Sequence, residues 1–436
     1  MSLDFEKYYH ILKHTHLTKD SGKVTDVTGL LIKGYIPGVS VGSICEIQGN
    51  KTILAEVVGF KDKQVLMMSL ADMRGIAMGS KITLAKSIAT VKVSEELLGR
   101  VVDGLAQPLD GLDELENVKE VPLYSEVVNP LKRMPIRQSL DVGVRAINAT
   151  LTVGRGQRVA ILAGSGVGKS VLMGMMAQQT EADVNVIALI GERGREVREF
   201  IENELGPEGM KKTVIVCVTS DQSPLLRMRG AYVATAIAEY FSGLGKNVLL
   251  VMDSVTRFAM ALREIGLSIG EPPTTRGYTP SVFSTLPKLL ERAGNFENSG
   301  SITGFYTTLV ESDDMNDPIG DAVRSIVDGH IVLSRDLAHK GHYPAIDIMQ
   351  SASRVMKAVS TPEHTRQAMK LREVLAIYKD SEDLINIGAY KAGMNPKIDR
   401  AIKSIDQINE FLKQRTDERT NMSQCLKMLQ QITAGL

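Results

Sequence analysis

Apolar residues change their rhythm along this chain of 436 residues. From about 21 to 90, short β-branched runs (24–33, 43–48, 53–60, 64–69 and 81–84) alternate with Gly34, Gly38, Gly42, Gly49, Gly59 and Gly79. Short strands at that spacing predict a small N-terminal β-barrel. From about 91 to 357 the runs lengthen and lose polar alternation, at 158–162, 184–190, 213–219, 247–252, 301–309 and 329–333. Strands buried on both faces have this character. With helical stretches between them, they predict a mostly parallel sheet covered by helices on both sides. Pro122, Pro130 and Pro135 mark an extended connector leading into it. From about 358 to 436 strands disappear. Leu371, Val374, Leu375 and Tyr378 share one side of a predicted helix, and Asn395-Pro396 is a cap followed by proline at the first helical position. Ile398, Ile402, Ile405 and Leu412 then repeat at helical spacing, predicting a buried stripe on a C-terminal α-helical domain. Residues 1–20 stand apart. A short helix is expected there, with His10, His14 and His16 on a solvated or partner-contacting face rather than in a metal site.

Composition narrows the classes. The chain is long enough for two or three domains and a large core. Lys+Arg and Asp+Glu both number 51, so the formal net charge is zero, which argues against a dedicated nucleic-acid binder while leaving room for a local basic patch. Cys45, Cys217 and Cys425 lie far apart in apolar settings, as reduced, buried thiols of a cytosolic protein do. Neither a signal-peptide pattern nor a run of 18 apolar residues occurs, so a membrane role is expected to be peripheral or through a partner.

Chemistry enters at Ala163-Gly164-Ser165-Gly166-Val167-Gly168-Lys169-Ser170, a Walker A loop with alanine in place of its first glycine. A nucleoside triphosphate needs many donors and a cation. Glycines let successive backbone N–H groups converge on the phosphates. Lys169 supplies charge at the β/γ-phosphates and the Ser170 hydroxyl is placed to bind Mg²⁺. An apolar run precedes the loop and a helical stretch follows, so a ligand-free glycine turn is the weaker reading. Gly164, Ser165, Gly166, Val167, Gly168, Lys169, Ser170 and Val171 form the expected nucleotide-binding set. The run 184–190 ends in Gly191-Glu192-Arg193-Gly194-Arg195-Glu196, where strand ends of such a sheet line the ligand crevice. Glu192 is a candidate base for the attacking water and Arg193 a candidate phosphate contact; Arg195, Glu196 and Arg198 read better as a solvated charge run. The run Val248–Met252 ends in Asp253, a Walker B arrangement whose carboxylate sits beside Mg²⁺.

Further segments carry a resemblance: Gly191–Phe200, Met252–Arg257, Gly270-Glu271-Pro272-Pro273-Thr274-Thr275-Arg276-Gly277-Tyr278-Thr279-Pro280 and Gly341–Asp347. With Ala163–Ser170, they make the chain from about 24 onward resemble the ATPases of bacterial type III protein export, most closely the flagellum-specific ones. Those are similar to the catalytic subunit of rotary F-type ATP synthases. The resemblance implies a RecA-like P-loop NTPase core over 91–357, between a barrel over 21–90 and a helical domain over 358–436. It implies that Glu192 is the catalytic glutamate, that Arg193 and Arg257 are phosphate-side arginines, and that Tyr343 lies beside adenine. It makes Arg354 an arginine finger inserted into a neighbouring subunit's site, and hence the assembly a homohexamer. The expected activity is Mg²⁺-dependent ATP hydrolysis that energises flagellar protein export. Expected partners are export-gate membrane proteins, a coiled-coil stalk protein, a regulatory protein and chaperone–substrate complexes, met by a cytoplasmic enzyme at the inner membrane. The acidic shaft-contact run of the rotary subunit has no counterpart; Asp380-Ser381-Glu382-Asp383-Leu384 is a different sequence. A non-catalytic spacer subunit is disfavoured by Glu192. An RNA-tracking motor is disfavoured by zero net charge and the absence of tryptophan. A virulence-type or rotary catalytic subunit is the remaining variant.

Overall fold

The computed structural model describes residues 21–126, 128–310 and 317–436; the expected helix with His10, His14 and His16 lies outside them. Six strands close a barrel: β1 Ser21–Thr28, β2 Leu31–Tyr35, β3 Ile44–Gln48, β4 Thr52–Lys61, β5 Gln64–Ser69 and β6 Lys81–Lys86, in the order β1-β2-β5-β4-β3-β6. Alternation sends Ile32, Cys45, Ile47, Ala55, Met67 and Ile82 inside. The single run expected over 24–33 is instead a hairpin. Thr28 pairs with Leu31, and Gly29 takes φ +59° in the two-residue loop, a geometry glycine meets without strain. Asp62 and Lys63 adopt positive φ in the matching loop between β4 and β5.

Eight strands form the main path of the central sheet: β7 Val101–Val102, β8 Arg158–Ala163, β9 Val184–Glu192, β10 Thr213–Thr219, β11 Val248–Asp253, β12 Ser301–Leu309, β13 Gly329–Leu333 and β14 Ile346–Ser353. Their order is β14-β13-β8-β12-β11-β9-β10-β7, parallel throughout except where β14 runs back along β13. The apolar runs are continuous because both faces are covered. Val186, Ala188 and Ile190 of β9 enter one apolar cluster, Ile187 and Leu189 the other. β14, at the edge, lay in a stretch the hydrophobic pattern did not single out as a strand.

The helices that matter to the site are α1 Arg145–Thr150, α2 Lys169–Gln179, α3 Pro224–Gly243 and α4 Val255–Ile269. After them come α5 Pro362–Asn386, α6 Pro396–Leu412 and α7 Met422–Ala434. Thr361, Asn395 and Asn421 cap the last three, and proline opens α5 and α6. The stripe on α6 differs from expectation. Ile405 and Leu412 are buried with Ala401, Ile408 and Phe411, but Ile402 is 36% exposed. Ala401, Ile405, Ile408 and Leu412 recur at spacings of four, three and four along one face, and Ile402, next to Ala401, is turned about 100° from it. Among the described residues no helix is long and apolar enough to cross a membrane.

A buried ion pair joins the barrel to α3, beside apolar contacts of Leu31, Ile44, Leu66 and Met68 with the central domain. Glu56 of β4 and Arg229 of α3 are both buried and ion-paired, and the Tyr124 hydroxyl donates to Glu56 at 2.6 Å. Burial pushes the Glu56 carboxyl up, while Arg229 and Tyr124 pull it back.

Candidate active site

β8 lies in the middle of the sheet and delivers the loop 164–168 to the N-terminus of α2. Gly166 and Gly168 take φ +78° and +89°. A side chain there would be strained, so the sequence must be glycine for the loop to turn its N–H groups toward one point. Val167 is buried beneath the loop, whereas Ser165, Gly166 and Ser170 are exposed.

Three parallel strands end beside the loop and converge. Lys169 Nζ is ion-paired with Asp253 Oδ1 from the end of β11 and lies 3.8 Å from Glu192 Oε1 at the end of β9. The Thr307 hydroxyl, from β12 between β8 and β11, donates to Asp253 Oδ1 at 2.6 Å. Thr256 Oγ1 accepts from Leu309 N at 2.9 Å and ties α4 to the same strand. Glu192 is the unusual group. Burial and the nearby Asp253 charge raise its carboxyl to about 7, with Lys169 opposing the rise. A carboxylate poised near neutrality is suited to exchanging a proton with water.

Arg257 reaches the same edge from α4. A Cβ built on Gly191 would stand 3.0 Å from Arg257 Cβ, so the arginine stem packs against the residue preceding Glu192, and its buried Nε has no hydrogen-bond partner. Tyr343 is 46% exposed, and its ring edge lies 3.5 Å from a Cβ position on Gly168. From here a cleft of about 1260 Å³ opens between the phosphate loop and the C-terminal helices, lined by Gly166, Val171, Tyr343, Phe411 and Gln414 among others. It is ample for a nucleotide.

Two of the expected residues are not brought together with this cluster. Arg193 starts the next helical stretch with its side chain 78% exposed, paired with Glu196 at 3.3 Å. Arg354 follows β14, where Ser353 pairs with Gly329 and Arg354 N donates to Asp328 O. Asp328 N in turn donates to Arg158 O, so Arg354 is level with the start of β8, while the phosphate loop begins at Gly164. Six residues of strand separate them, roughly 20 Å, far beyond an arginine side chain.

Sequence reasoning passed over Thr307, a buried threonine in an apolar strand with no motif around it. It also passed over the segment 407–418, which lines the cleft. Buried Arg145 of α1 holds that segment, with Nε donating to Phe411 O at 2.9 Å and Nη1 paired with Glu418. Gln414 N donates to Tyr343 O at 2.9 Å.

Comparison with known proteins adds the lineage of these parts. The ATP synthase alpha/beta family nucleotide-binding domain matches residues 143–353, and the T3SS EscN ATPase C-terminal domain matches 360–431. The flagellum-specific ATP synthase of Bacillus subtilis (strain 168) is 53% identical over 428 residues, 97% of this chain and 98% of that protein. The assembled ATPase EscN of the enteropathogenic E. coli type III secretion system superposes with a TM-score of 0.90 at 46% identity, over 94% of this chain and all of that one. EscN assembled with its central stalk EscO gives 0.88 at 45%, with the same coverage.

Proposed function

The chain belongs to the family of flagellum-specific and type III secretion ATPases, and on that premise we propose how its residues share the hydrolysis of ATP that drives protein export. The convergence of Lys169, Glu192 and Asp253 on the phosphate loop, with the Glu192 carboxyl near 7, carries the reading. When the triphosphate enters, Lys169 leaves Asp253 for the β/γ-phosphates and the loop N–H groups close around them. Glu192 accepts a proton from the water whose oxygen attacks the γ-phosphorus as ADP departs. Arg257 supplies charge at the γ-phosphate. Arg193 joins it once it lets go of Glu196. Tyr343 packs on the adenine at the mouth of the cleft.

The donors fit Mg²⁺. The Ser170 hydroxyl and the Asp253 carboxylate would hold it. The Asp253 carboxylate already draws a cation, the Lys169 ammonium, to this point of the site. Bound there, Mg²⁺ would offset the negative charge of the nucleotide phosphates.

The site is completed by a second copy. Arg354 is too far from its own phosphate loop, so it serves the adjoining subunit as a finger in trans, in a homohexameric ring. Such fingers supply about 10³–10⁵ in rate. EscN is known assembled and with a stalk, and we extend this to a coiled-coil stalk partner here. The ring works in the cytoplasm against membrane proteins of the export gate, receiving chaperone–substrate complexes and unfolding and handing over their cargo, with a regulatory protein holding it in reserve. ATPase rate measured against protein concentration tests the shared site. Specific activity should climb steeply as rings assemble, and a flat specific activity across dissociation would refute it.

A further inference from the structure

Arg354 forms no ion pair among the described residues. Its Nη1 and Nη2 donate to Val327 O at 3.2 Å and Arg324 O at 3.4 Å. These carbonyls belong to the C-terminal end of the helix Pro318–Ile326 and the residue after it, the negative pole of the helix dipole. The guanidinium is held by neutral acceptors and keeps its charge for an anion from outside.

What fixes those acceptors is a second arginine. Arg158, the first residue of the phosphate-loop strand, grips the Asp328 carboxylate with Nε at 3.1 Å and Nη2 at 3.2 Å. Arg158 N donates to the same carboxylate at 3.2 Å, and Asp328 N returns a bond to Arg158 O at 2.8 Å. The Asp328 carbonyl accepts from Arg354 N at 2.9 Å and from Gln157 Nε2 at 3.3 Å. Residues 327 and 328 are thus pinned from one side by β8 and carry Arg354 on the other. A two-pronged arginine–carboxylate contact fixes orientation as well as distance.

We infer that Arg158 and Asp328 are positioning residues for the Arg354 guanidinium, so that the strand delivering the phosphate loop to a subunit's own nucleotide also sets the arginine it offers to the next subunit's. The inference rests on the trans reading of Arg354. The phosphate loop at one end of β8 and the finger at the other end are thus built onto the same strand.

The variant Asp328→Asn keeps the shape and removes the charge. Arg158 retains Glu291, 2.5 Å from Nη1, so the strand keeps a carboxylate partner. Arg158→Lys, which keeps the charge and loses the two-pronged grip, is the second variant should the first fail to fold. With assembled full-length protein, kcat should drop by about 10²-fold, the scale for a group displaced by an ångström, while KM for ATP stays near wild type. Each variant is then mixed with Lys169→Ala chains, which lack a working site but carry an intact finger, and Arg354→Ala is mixed the same way alongside. Recovery of activity in all three mixtures is the expected result. Recovery with Arg354→Ala but none with Asp328→Asn or Arg158→Lys would overturn the positioning role and leave the trans finger standing. No recovery with Arg354→Ala in demonstrably mixed rings would remove the trans finger and this inference with it. A wild-type kcat in both positioning variants would also overturn it.

Discussion

Replacing Glu192 by glutamine separates chemistry from folding in one experiment. The wild-type carboxyl is held from 4.5 up to about 7, chiefly by burial and then by the Asp253 charge. At about 1.4 kcal/mol per tenfold in proton affinity, that is roughly 3 kcal/mol against the ionised form. The sign follows from the direction. A carboxyl whose pKa is raised by folding is most comfortable protonated, so its contribution is full below about pH 4.5 and is lost as pH climbs through about 7. The amide cannot ionise. Nucleotide-free Glu192→Gln should therefore match wild type in acid and exceed it at pH 8 by about 1–3 kcal/mol, discounted for relaxation of Lys169 toward the remaining carboxylate. The same change removes the proposed proton acceptor, so kcat should fall by about 10²–10⁴-fold. A fluorescent ATP analogue should still bind, since Lys169 and the loop are intact. The assays are denaturant unfolding of both proteins at pH 5 and pH 8, steady-state phosphate release, and analogue binding. A kcat within threefold of wild type, or a stability difference unchanged between the two pH values, would refute the reasoning. Wild-type hydrolysis should itself rise with pH through about 7, as Glu192 becomes a base.

Two further outcomes are expected. Arg229→Met strands the buried Glu56 charge between barrel and sheet and should cost about 3–5 kcal/mol in denaturant unfolding; a loss under 1 kcal/mol would show that water or a rearranged Tyr124 replaces the pair. Thr307→Val removes a hydroxyl that donates to Asp253 and should lower kcat about tenfold or more while costing about 1–2 kcal/mol in stability, whereas unchanged hydrolysis would show that Asp253 keeps its orientation without the Thr307 hydroxyl.

The phosphate loop is local and therefore legible. Gly164 to Ser170 lie on one turn, so their order along the chain is nearly their order in space, and a run such as Val184–Ile190 ending in a charged residue announces a strand end at the crevice. Periodicity likewise announced the barrel, the parallel sheet and the C-terminal helices, because one face or both must shed water. Tertiary structure decided everything that depends on which distant segments meet. It folded the run 24–33 into a hairpin at Gly29 and turned Ile402 outward on α6. It brought Thr307 to Asp253, and it gathered Arg145 and the segment 407–418 beside the phosphate loop. It also put Arg354 at the far end of the sheet from its own phosphate loop, a separation fixed by strand direction and register. Spacing along the chain carries no record of either, because neighbours across a sheet are chosen by packing and hydrogen-bond pairing between strands that are remote in sequence.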